Sequence, residues 1–492
     1  MELQFVFDDD VFTYAISNGE MDQFSQHLSL ANSSLTVNYT RKTDVVHGIL
    51  NNQEIVIIGL CVDAYGDIER NDIPAFFLAQ KFEQVERAYK FFNCFAGKYV
   101  ILFRDGEQVY LWGDATCTIQ INYSFATDES GAVCAASLDK IVASYFQYRI
   151  SEYSTKIRLG SDFSQPMPAD LTMYAEVKAL LPNHYLDLFG KKAVRVGLDV
   201  TPAKTHIELN HIIEVSIKLI EQIVREYAKF YEIICPLTSG YDSRLVFSFL
   251  KKQNQHVQCY TFKHKGFTTE TDDMLIPAKI CEYYQQPYSV VEDLVAPEDY
   301  VQEIFAVAGD YNAESTINLA CTFNSAFLGK ALINGDIIDQ IGKSLLGHAI
   351  PNRLASAAYL RCKVHNREKQ TKQVIEQYLD GLRDYGESKY VFDLFAMESR
   401  CGRWASQGGA LYALCGITSL NIFNCRELIL NWVSVPRKLR SKKWIHQEIY
   451  RVNDQRLLQF AFNPSSKTDF LKKHWILFYI ATYVKQFLYQ MR

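Results

Sequence analysis

The chain has 492 residues, of which 48% are hydrophobic, and a formal net charge of −5 at pH 7. This length and composition predict two or three globular domains with ample cores. The negative balance argues against a nucleic-acid partner, because phosphate neutralisation needs clustered positive charge.

The chain carries no sign of export or membrane insertion. Its first residues are acidic where a secretory peptide would carry lysine or arginine. The most apolar late run, Trp475 to Val484, is well short of the roughly 20 residues that span a bilayer, so it predicts a buried or partner-facing helix. The 12 cysteines contain no C-x-x-C pair, which is typical of reduced core thiols. We therefore predict a cytoplasmic protein without a membrane partner.

Residues 1–195 consist mostly of short β-segments. Apolar and β-branched runs predict strands at 55–62, 99–103, 108–112 and 119–123. Helical patterns appear over 74–93 and 171–182. Asp105-Gly106 predicts a hairpin turn, and a second hairpin is expected around Gly190. This order predicts an α+β or sandwich domain over 1–195.

From residue 205 the pattern changes to helices that alternate with strands. Helical spacing predicts helices over 207–224 and 272–285. Buried strands are predicted at 231–237, 257–262, 288–291 and 331–334. Such alternation indicates a parallel α/β sheet, whose ligands bind beyond the carboxyl ends of the strands. After residue 350 the chain is predicted to be helical.

A tight turn follows the first of these strands. Its residues are Thr238, Ser239, Gly240, Tyr241, Asp242 and Ser243. Backbone N–H groups and hydroxyls in a strand–turn–helix converge where the helix dipole favours an anion, which predicts a phosphate site. The same letters also fit a capping box between Ser239 and Asp242, so both interpretations stay open.

Three segments resemble the asparagine-synthetase-like family. The turn 238–243 is similar to its S-G-G-x-D-S loop, with threonine keeping the first hydroxyl and Ser239 in place of the first glycine. The segment 332–340 is similar to its L-S-G-E-G-A-D-E motif, with Asp339 on the aspartate. The segment 95–123 resembles its glutaminase domain. The resemblance covers most of the chain in the family's domain order.

The resemblance implies an Ntn-type, glutaminase-like sandwich over 1–195 and an α/β PP-loop ATP pyrophosphatase domain over 205–492, with a helical C-terminal region. It implies ATP bound by residues 238–243 and Gly335, and Mg²⁺ held by Asp242 and Asp339. The implied reaction activates a carboxylate as an acyl-adenylate, which an amine or ammonia then converts to an amide. Asp336 is a weaker ligand candidate, and Asp272 and Asp273 are expected to be solvated helix-start charges.

Two departures from the family pattern narrow the expected activity. Residue 2 is Glu2 where active glutaminases expose a cysteine, so no glutamine hydrolysis is expected. Thr418 and Leu420 replace the glutamate and arginine of the family's G-x-E-x-R-x-P-F segment, which argues against ordinary aspartate amidation. Both changes also occur in the ring-forming members, the β-lactam synthetases, carbapenam synthetases and lasso-peptide cyclases.

The remaining catalytic candidates come from the last third of the chain. The resemblance to the ring-forming members implies that Lys467 is the counterpart of their late transition-state lysine, with a solvated loop lysine as the alternative. Glu398, Tyr412 and Glu427 are candidates for the base that deprotonates the amine, each with packing as the alternative. The basic run 437–443 predicts a solvated loop.

The expected partners are a small-molecule or peptide carboxylate and an amine or ammonia. One alternative function is amidation of a sugar or uronic-acid carboxylate in polysaccharide biosynthesis. Another is a catalytically inactive member that binds nucleotide or a partner protein. The oligomeric state is left open, with a homodimer among the alternatives.

Overall fold

A computed structural model of the chain describes residues 7–160, 165–254, 256–366, 368–462 and 474–490. The protein is mixed α/β, with two antiparallel sheets in its first part and one parallel sheet in its second. All twelve cysteines are free thiols, and all except Cys94 and Cys321 are buried.

The first part contains two six-stranded sheets, ordered β10-β8-β9-β1-β3-β2 and β12-β11-β7-β6-β5-β4. The strands are β1 Tyr14–Asn18, β2 Gln26–Ser29, β3 Leu35–Tyr39, β4 Val45–Leu50, β5 Gln53–Asp63, β6 Phe95–Asp105, β7 Gln108–Gly113, β8 Asn122–Phe125, β9 Val133–Ala136, β10 Lys178–Ala179, β11 His184–Asp187 and β12 Lys192–Arg195. The helices are α1 Ile73–Ala79, α2 Val85–Phe91, α3 Asp139–Phe146 and α4 Glu152–Leu159.

The two sheets pack face to face between helices. Val56 and Ile58 of β5 point into the core between the sheets, where Val37 of the other sheet meets them. The alternate residues Ile55 and Ile57 pack against α1 and α2 on the outer face. Because both faces of β5 are covered, its sequence is a continuous apolar run instead of an alternating one.

Two predicted helices of the first part were wrong. The helix expected over 74–93 is two helices, because Lys81 adopts a left-handed φ of 50° that ends α1. No helix forms over 171–182, where the Thr172 hydroxyl donates to the backbone carbonyls of Tyr174 and Val177 instead. Such local side-chain bonds compete with helix formation. The hairpins at 105–106 and around Gly190 were confirmed as β6–β7 and β11–β12.

The second part is built on a five-stranded parallel sheet, ordered β15-β14-β13-β16-β17. The strands are β13 Ile233–Pro236, β14 Cys259–Lys263, β15 Tyr288–Glu292, β16 Ala331–Asn334 and β17 Thr418–Asn421. The helices are α5 His206–Ala228, α6 Tyr241–Gln253, α7 Asp272–Tyr284, α8 Glu298–Ala308, α9 Glu314–Phe327, α10 Ala357–Lys363, α11 Lys369–Asp384, α12 Val391–Phe395, α13 Ser406–Leu414, α14 Arg426–Ser434, α15 Arg437–Arg440, α16 Trp444–Asn453 and α17 Trp475–Gln490.

Shorter turns of helix connect these elements. Two are π-helical, at Ile338–Gly342 and Ala396–Ala405. The second joins α12 to α13, so residues 391–414 form one continuous helical stretch. Short 3₁₀ helices lie at Arg70–Asp72, Phe92–Cys94, Asn352–Leu354, Ser388–Tyr390 and Gln455–Gln459.

The strands predicted for the second part were confirmed, but the region after residue 350 is not entirely helical. Residues 418–421 form β17, which pairs with β16 at the sheet edge. Four residues are too few to show a period of two in the sequence. Among the described helices, none is long and apolar enough to cross a membrane. The apolar run at Trp475 lies in α17, with Ile476, Ile480 and Val484 more than half exposed.

Candidate functional site

The candidate site lies where the order of the parallel sheet reverses. β13 is flanked by β14, which follows it in the chain, and by β16, which comes about 95 residues later in the sequence. The connections from β13 and β16 therefore leave their carboxyl ends in opposite directions and open a crevice between them. Open α/β sheets bind ligands at such switch points. The turn 238–243 follows β13, and Gly335 to Asp339 follow β16.

Hydrogen bonds of hydroxyl groups fix the turn. The Ser243 hydroxyl accepts from the backbone N–H of Thr238 at 3.0 Å and lies 2.8 Å from the Thr238 hydroxyl. The Thr238 hydroxyl also accepts from the N–H of Gly240 at 3.1 Å. Gly240 is the N-cap of α6, with no side-chain cap hydrogen bond. Among the described residues, the N-cap of α6 thus gives its first turn no side-chain hydrogen bond.

The capping-box interpretation of this turn is wrong. The Ser239 backbone N–H and hydroxyl donate to the Asp273 carboxylate, the N–H at 2.8 Å. The Asp242 carboxylate bonds to side chains far away in the sequence instead of to backbone N–H groups of the turn. Asp273 was expected to be a solvated helix-start charge, but it holds the turn in place from the start of α7. A long-range contact of this kind has no signal in the local sequence.

Asp242 and Asp339 converge on one cationic group, the Lys343 ammonium. Lys343 Nζ donates to Asp242 Oδ2 and, at 2.9 Å, to Asp339 Oδ1. Asp339 and Lys343 are neighbours because they are four residues apart in a helical segment. The two carboxylates at adjacent strand ends are therefore close enough to share a single cation.

His446 of α16 completes this cluster from the opposite side. Its Nε2 lies 2.8 Å from Asp242 Oδ1, and its side chain is fully buried. Burial lowers the pKa of His446, and this effect exceeds the opposing influence of Asp242. A neutral imidazole that donates from Nε2 leaves Nδ1 as a buried acceptor without a partner in the described structure.

The cluster keeps Asp242 ionised and Lys343 protonated. Burial by itself would raise the pKa of Asp242, but the hydrogen bond from His446 and the Lys343 charge outweigh it and hold the pKa below its usual value. Burial would likewise lower the pKa of Lys343, but the charges of Asp242 and Asp339 outweigh it and raise the pKa. The cation between the carboxylates is thus present throughout the neutral range.

Gly335 lets the two strand ends approach each other. A Cβ atom added to Gly335 would lie 3.3 Å from the Cβ of Asp242, closer than most carbon–carbon contacts. A side chain here would push the turn and the second segment apart. Glycine therefore favours close packing at this position, whatever ligand the site takes.

Asp336 is a carboxyl group of the site whose pKa is raised. Burial raises its pKa to about 6, and the charges of Asp339 and Asp242 add to the effect. Asp336 lines a cavity of about 620 Å³ together with Asn334 and Tyr412. Residues that follow β14 and β15 form the far wall, among them His264 and Asp293. The cavity thus extends from the switch point along the carboxyl edge of the sheet.

The raised pKa of Asp336 predicts a stability effect with a defined sign. A carboxyl whose pKa rises on folding destabilises the protein above the folded pKa, and this penalty disappears as the pH falls through about 6 towards the ordinary value of 3.8. We expect Asp336→Asn to be more stable than the wild type by about 3 kcal/mol at pH 8 and by about half as much at pH 5. Urea unfolding at both pH values measures this difference. Exposed Asp384→Asn, the control, is expected to show no pH-dependent gain, and an equal gain at pH 5 and pH 8 for Asp336→Asn would contradict the assignment.

The predicted base candidates lie in different surroundings. Tyr412 faces the same cavity as Asp336, and burial raises its pKa, with a further contribution from Asp336. Glu398 is 1% exposed and forms a bidentate ion pair with Arg195 of β12, at 2.6 and 2.9 Å. Glu427 accepts a hydrogen bond from Tyr65 of the first part at 2.6 Å. Only Tyr412 thus lines the cavity, whereas the two glutamates connect the two parts of the chain.

Two predicted features cannot be placed. Lys467 and Glu2 lie outside the described residues.

The side chain of Tyr241 in the turn is held by ring contacts. Its ring stacks on Phe462 with centroids 3.8 Å apart and lies under the Lys443 ammonium. At a phosphate site of the kind predicted, Tyr241 would therefore contribute its backbone N–H.

Sequence reasoning missed Lys343 and His446. Lys343 had one detectable signal, its spacing of four residues from Asp339 within a helical segment. His446 comes from a distant element and had none. The basic run 437–443, predicted to be a solvated loop, includes α15, in which Arg440 is 1% exposed and pairs with Asp393 at 2.8 and 3.0 Å.

The implied Mg²⁺ would depend on two carboxylates, Asp242 and Asp339. Within the described residues, no group of three or more His, Cys, Asp or Glu side chains could hold a metal ion. Magnesium in nucleotide sites is usually held by one or two carboxylates together with substrate phosphates and water. Asp242 and Asp339 already share one cation, so their chemistry and convergence fit this simpler arrangement.

Comparisons with known proteins give no independent assignment. No protein-family model matches the chain, and a search of curated proteins finds no match.

Proposed function

We propose that the chain is an asparagine-synthetase-like enzyme: an ATP-dependent, AMP-forming ligase that activates a carboxylate and joins it to an amine or ammonia. In this proposal the first part is an Ntn-type domain without glutaminase activity, and the second is a PP-loop ATP pyrophosphatase domain. The observation that carries the proposal is the meeting of two carboxylates from adjacent strand ends, Asp242 and Asp339, on one cation beside an uncapped helix start.

ATP would place its phosphates over the turn 238–243. The N-terminus of α6 supplies N–H donors and the positive end of its dipole, and both favour a polyphosphate. Asp242 and Asp339 would hold Mg²⁺, which supplies neutralisation of the phosphate charge when it is bound. Lys343 would then be released from the two carboxylates and would be free to contact the leaving pyrophosphate.

The proposed ligase reaction has two steps. An oxygen of the substrate carboxylate attacks the α-phosphorus of ATP, the α–β bridging bond breaks, and pyrophosphate leaves with its electron pair. The amine nitrogen then attacks the acyl carbon, and AMP leaves as the amide forms. Asp336 is our choice for the group that accepts the amine proton, because its raised pKa lies near neutrality and it faces the cavity beside the cluster.

Isotope exchange between pyrophosphate and ATP tests the proposal. We expect candidate carboxylates to support Mg²⁺-dependent exchange, and ammonium or an amine, but not glutamine, to give an amide. Asp336→Asn should retain exchange while amide formation falls by about 10²–10⁴-fold. ATP and Mg²⁺ binding without exchange for any carboxylate class would overturn the enzyme assignment.

Lys343 also favours a second candidate function, that of a catalytically silent nucleotide-binding protein. Because Lys343 already neutralises both carboxylates, nucleotide could bind without Mg²⁺. Amidation of a uronic-acid carboxylate is an alternative within the enzyme class. It differs from the ligase proposed above only in the acceptor.

Lys343→Met separates the enzyme from the silent protein. If Lys343 and Mg²⁺ compete for the carboxylates, we expect the variant to bind Mg²⁺ about tenfold more tightly and to lose pyrophosphate exchange. Calorimetric titration of Mg²⁺ and the exchange assay measure the two effects. Lys330→Met, which removes a lysine paired with Glu232 near the amino end of β16, is the matched control. Unchanged Mg²⁺ affinity together with weaker binding of Mg²⁺-free ATP in Lys343→Met would favour the silent protein, because Lys343 would then be the group that neutralises the two carboxylates.

A further inference from the structure

The cavity beside Asp336 is much larger than a molecule of ammonia needs. Its volume is about 620 Å³, whereas a water molecule, which is close to ammonia in size, takes up about 30 Å³ in the liquid. None of the described residues 238–243 lines it, so phosphates bound at that turn would not fill it. We call it the edge cavity; among its lining residues are Leu294, Val295, Leu319, Asp336, Gly408 and Leu411. Cavities of this size are typical of sites for small organic molecules.

The charged lining of the edge cavity is acidic. Asp336 forms no hydrogen bond or ion pair with another described residue. Burial raises its pKa most, and the charge of Arg400 lowers it by less. The second carboxylate of the lining, Asp293, lies 3.2 Å from His264 Nδ1. None of the described lining residues is lysine or arginine, so a ligand that compensates Asp336 is expected to carry a positive charge.

Apolar side chains form a large part of the wall of the edge cavity. Leu294 and Val295, which follow β15, are 44% and 82% exposed. Leu319 of α9 and Leu411 of α13 also line the cavity. Exposed apolar side chains grouped beside a cavity are typical of a ligand-binding site, because an apolar ligand that covers them removes their surface from water. The ligand is therefore expected to have an apolar body.

Gly408 keeps the edge cavity open on the side of α13. It lies inside the continuous helical stretch 391–414, where glycine is less favourable than alanine. A Cβ atom added to Gly408 would meet no other atom within 4 Å, so close packing does not require glycine here. Because Gly408 lines the cavity, a side chain at this position would take up volume that a ligand could otherwise use.

We propose that the edge cavity binds the nitrogen donor of the reaction, and that this donor is a primary amine with an apolar body instead of ammonia. Its ammonium group would pair with Asp336, and its apolar body would lie against Leu294, Val295 and Leu319. The role as nitrogen donor rests on the proposed function, whereas the binding of an apolar cation does not. Ammonia would fill about a twentieth of the volume and would leave the apolar wall in contact with water.

Titration of the full chain with benzylamine, at pH 8 and without nucleotide, tests the charge of the ligand. Benzyl alcohol is the matched probe, because it has the same ring without a positive charge. At pH 8 Asp336 is ionised, since its pKa is about 6, and an alkylammonium is protonated as a lysine side chain is. We expect benzylamine to bind at least about tenfold more tightly than benzyl alcohol, and Asp336→Asn to remove this difference.

Gly408→Leu tests the place of binding. Leucine would occupy part of the edge cavity, so we expect the affinities for both probes to fall by about tenfold or more. Gly381→Leu is the matched control, because Gly381 lies in α11, outside the lining, and a Cβ atom there would also meet no atom within 4 Å. Leucine is a better helix former than glycine, so both variants should fold. Asp336→Asn and the two probes provide the test if Gly408→Leu does not.

The outcomes separate the amine site from the proposed reaction. Benzylamine binding that depends on Asp336 and is weakened in Gly408→Leu, but not in Gly381→Leu, supports the proposal. Equal affinities for the two probes in the wild type, no binding of either, or unchanged benzylamine binding in Asp336→Asn or in folded Gly408→Leu would overturn it.

A comparison of nitrogen donors tests the catalytic role of the bound amine. In a protein that shows pyrophosphate exchange, we expect Gly408→Leu to slow amide formation from benzylamine by about tenfold more than amide formation from ammonium, because only the larger donor needs the lost volume. An equal effect on both donors would contradict the donor role. Benzylamine binding at Asp336 without pyrophosphate exchange for any carboxylate would count against the proposed function alone.

Discussion

Asp242→Asn and Asp339→Asn are each expected to lower the rate of pyrophosphate exchange by at least about 10²–10³-fold. Each substitution removes one of two carboxylate charges that converge on a single cation, and losses of this size follow when one preorganised electrostatic contact is removed from an active site. Steady-state exchange at saturating ATP, together with Mg²⁺ titration, measures the effect.

The two substitutions should not be additive. Both carboxylates act on one cation, so the double variant is expected to lose little more activity than either single variant. Asp272→Asn, at the start of α7, is the control because Asp272 is adjacent to the turn-binding Asp273 but, among the described residues, forms no hydrogen bond or ion pair with the cluster. Full exchange activity in both single variants would show that these carboxylates do not serve the reaction.

Arg195→Met is expected to destabilise the protein by about 3–5 kcal/mol, and Glu398→Gln by less. Arg195 is 7% and Glu398 1% exposed, so Arg195→Met leaves the Glu398 charge buried without its cationic partner. In Glu398→Gln the Arg195 guanidinium keeps a second carboxylate, that of Glu387, 3.6 Å away. The double variant Arg195→Met with Glu398→Gln should recover part of the loss. Urea unfolding of the three variants measures these free energies, and single variants within about 0.5 kcal/mol of the wild type would contradict the structural role.

The pH dependence of this pair has the opposite sign to that of Asp336. Burial would raise the pKa of Glu398, but the Arg195 charge and hydrogen bond outweigh it and hold the pKa below its usual value. A depressed carboxyl pKa contributes stability that is present above the unfolded value of about 4.5 and is lost as the pH falls through the lower folded value. In Glu398→Gln this acid-induced loss should be reduced.

The sequence alone predicted most of the elements that carry the site. The strands before the turn 238–243 and before Gly335 were recognisable because both are short apolar runs bounded by turn signals. That they are neighbours was expected only from the family resemblance, which implies that Asp242 and Asp339 hold one Mg²⁺ ion. The sheet order, which places β16 beside β13, is a long-range property that no local pattern contains.

The charged surroundings of Asp242 could not be predicted for the same reason. His446 is about 200 residues away in the sequence, and only tertiary packing brings α16 against the start of α6.

The predicted base Glu398 shows that one local sequence pattern can fit two different roles. A glutamate in an apolar helical segment fits both a catalytic acid and a buried ion pair, and only the position of Arg195 distinguishes between them.

Arg195 contributes to a polar interface between the two parts of the chain. Asn424 donates to Gly97 O at 2.6 Å and to Asp114 at 2.8 Å, and accepts from Thr116 at 3.0 Å. These buried bonds do not depend on the covalent connection around residues 197–204. A chain cleaved there by a protease should therefore remain a tight two-fragment complex that unfolds in one transition, and neither fragment should be recovered alone under native conditions.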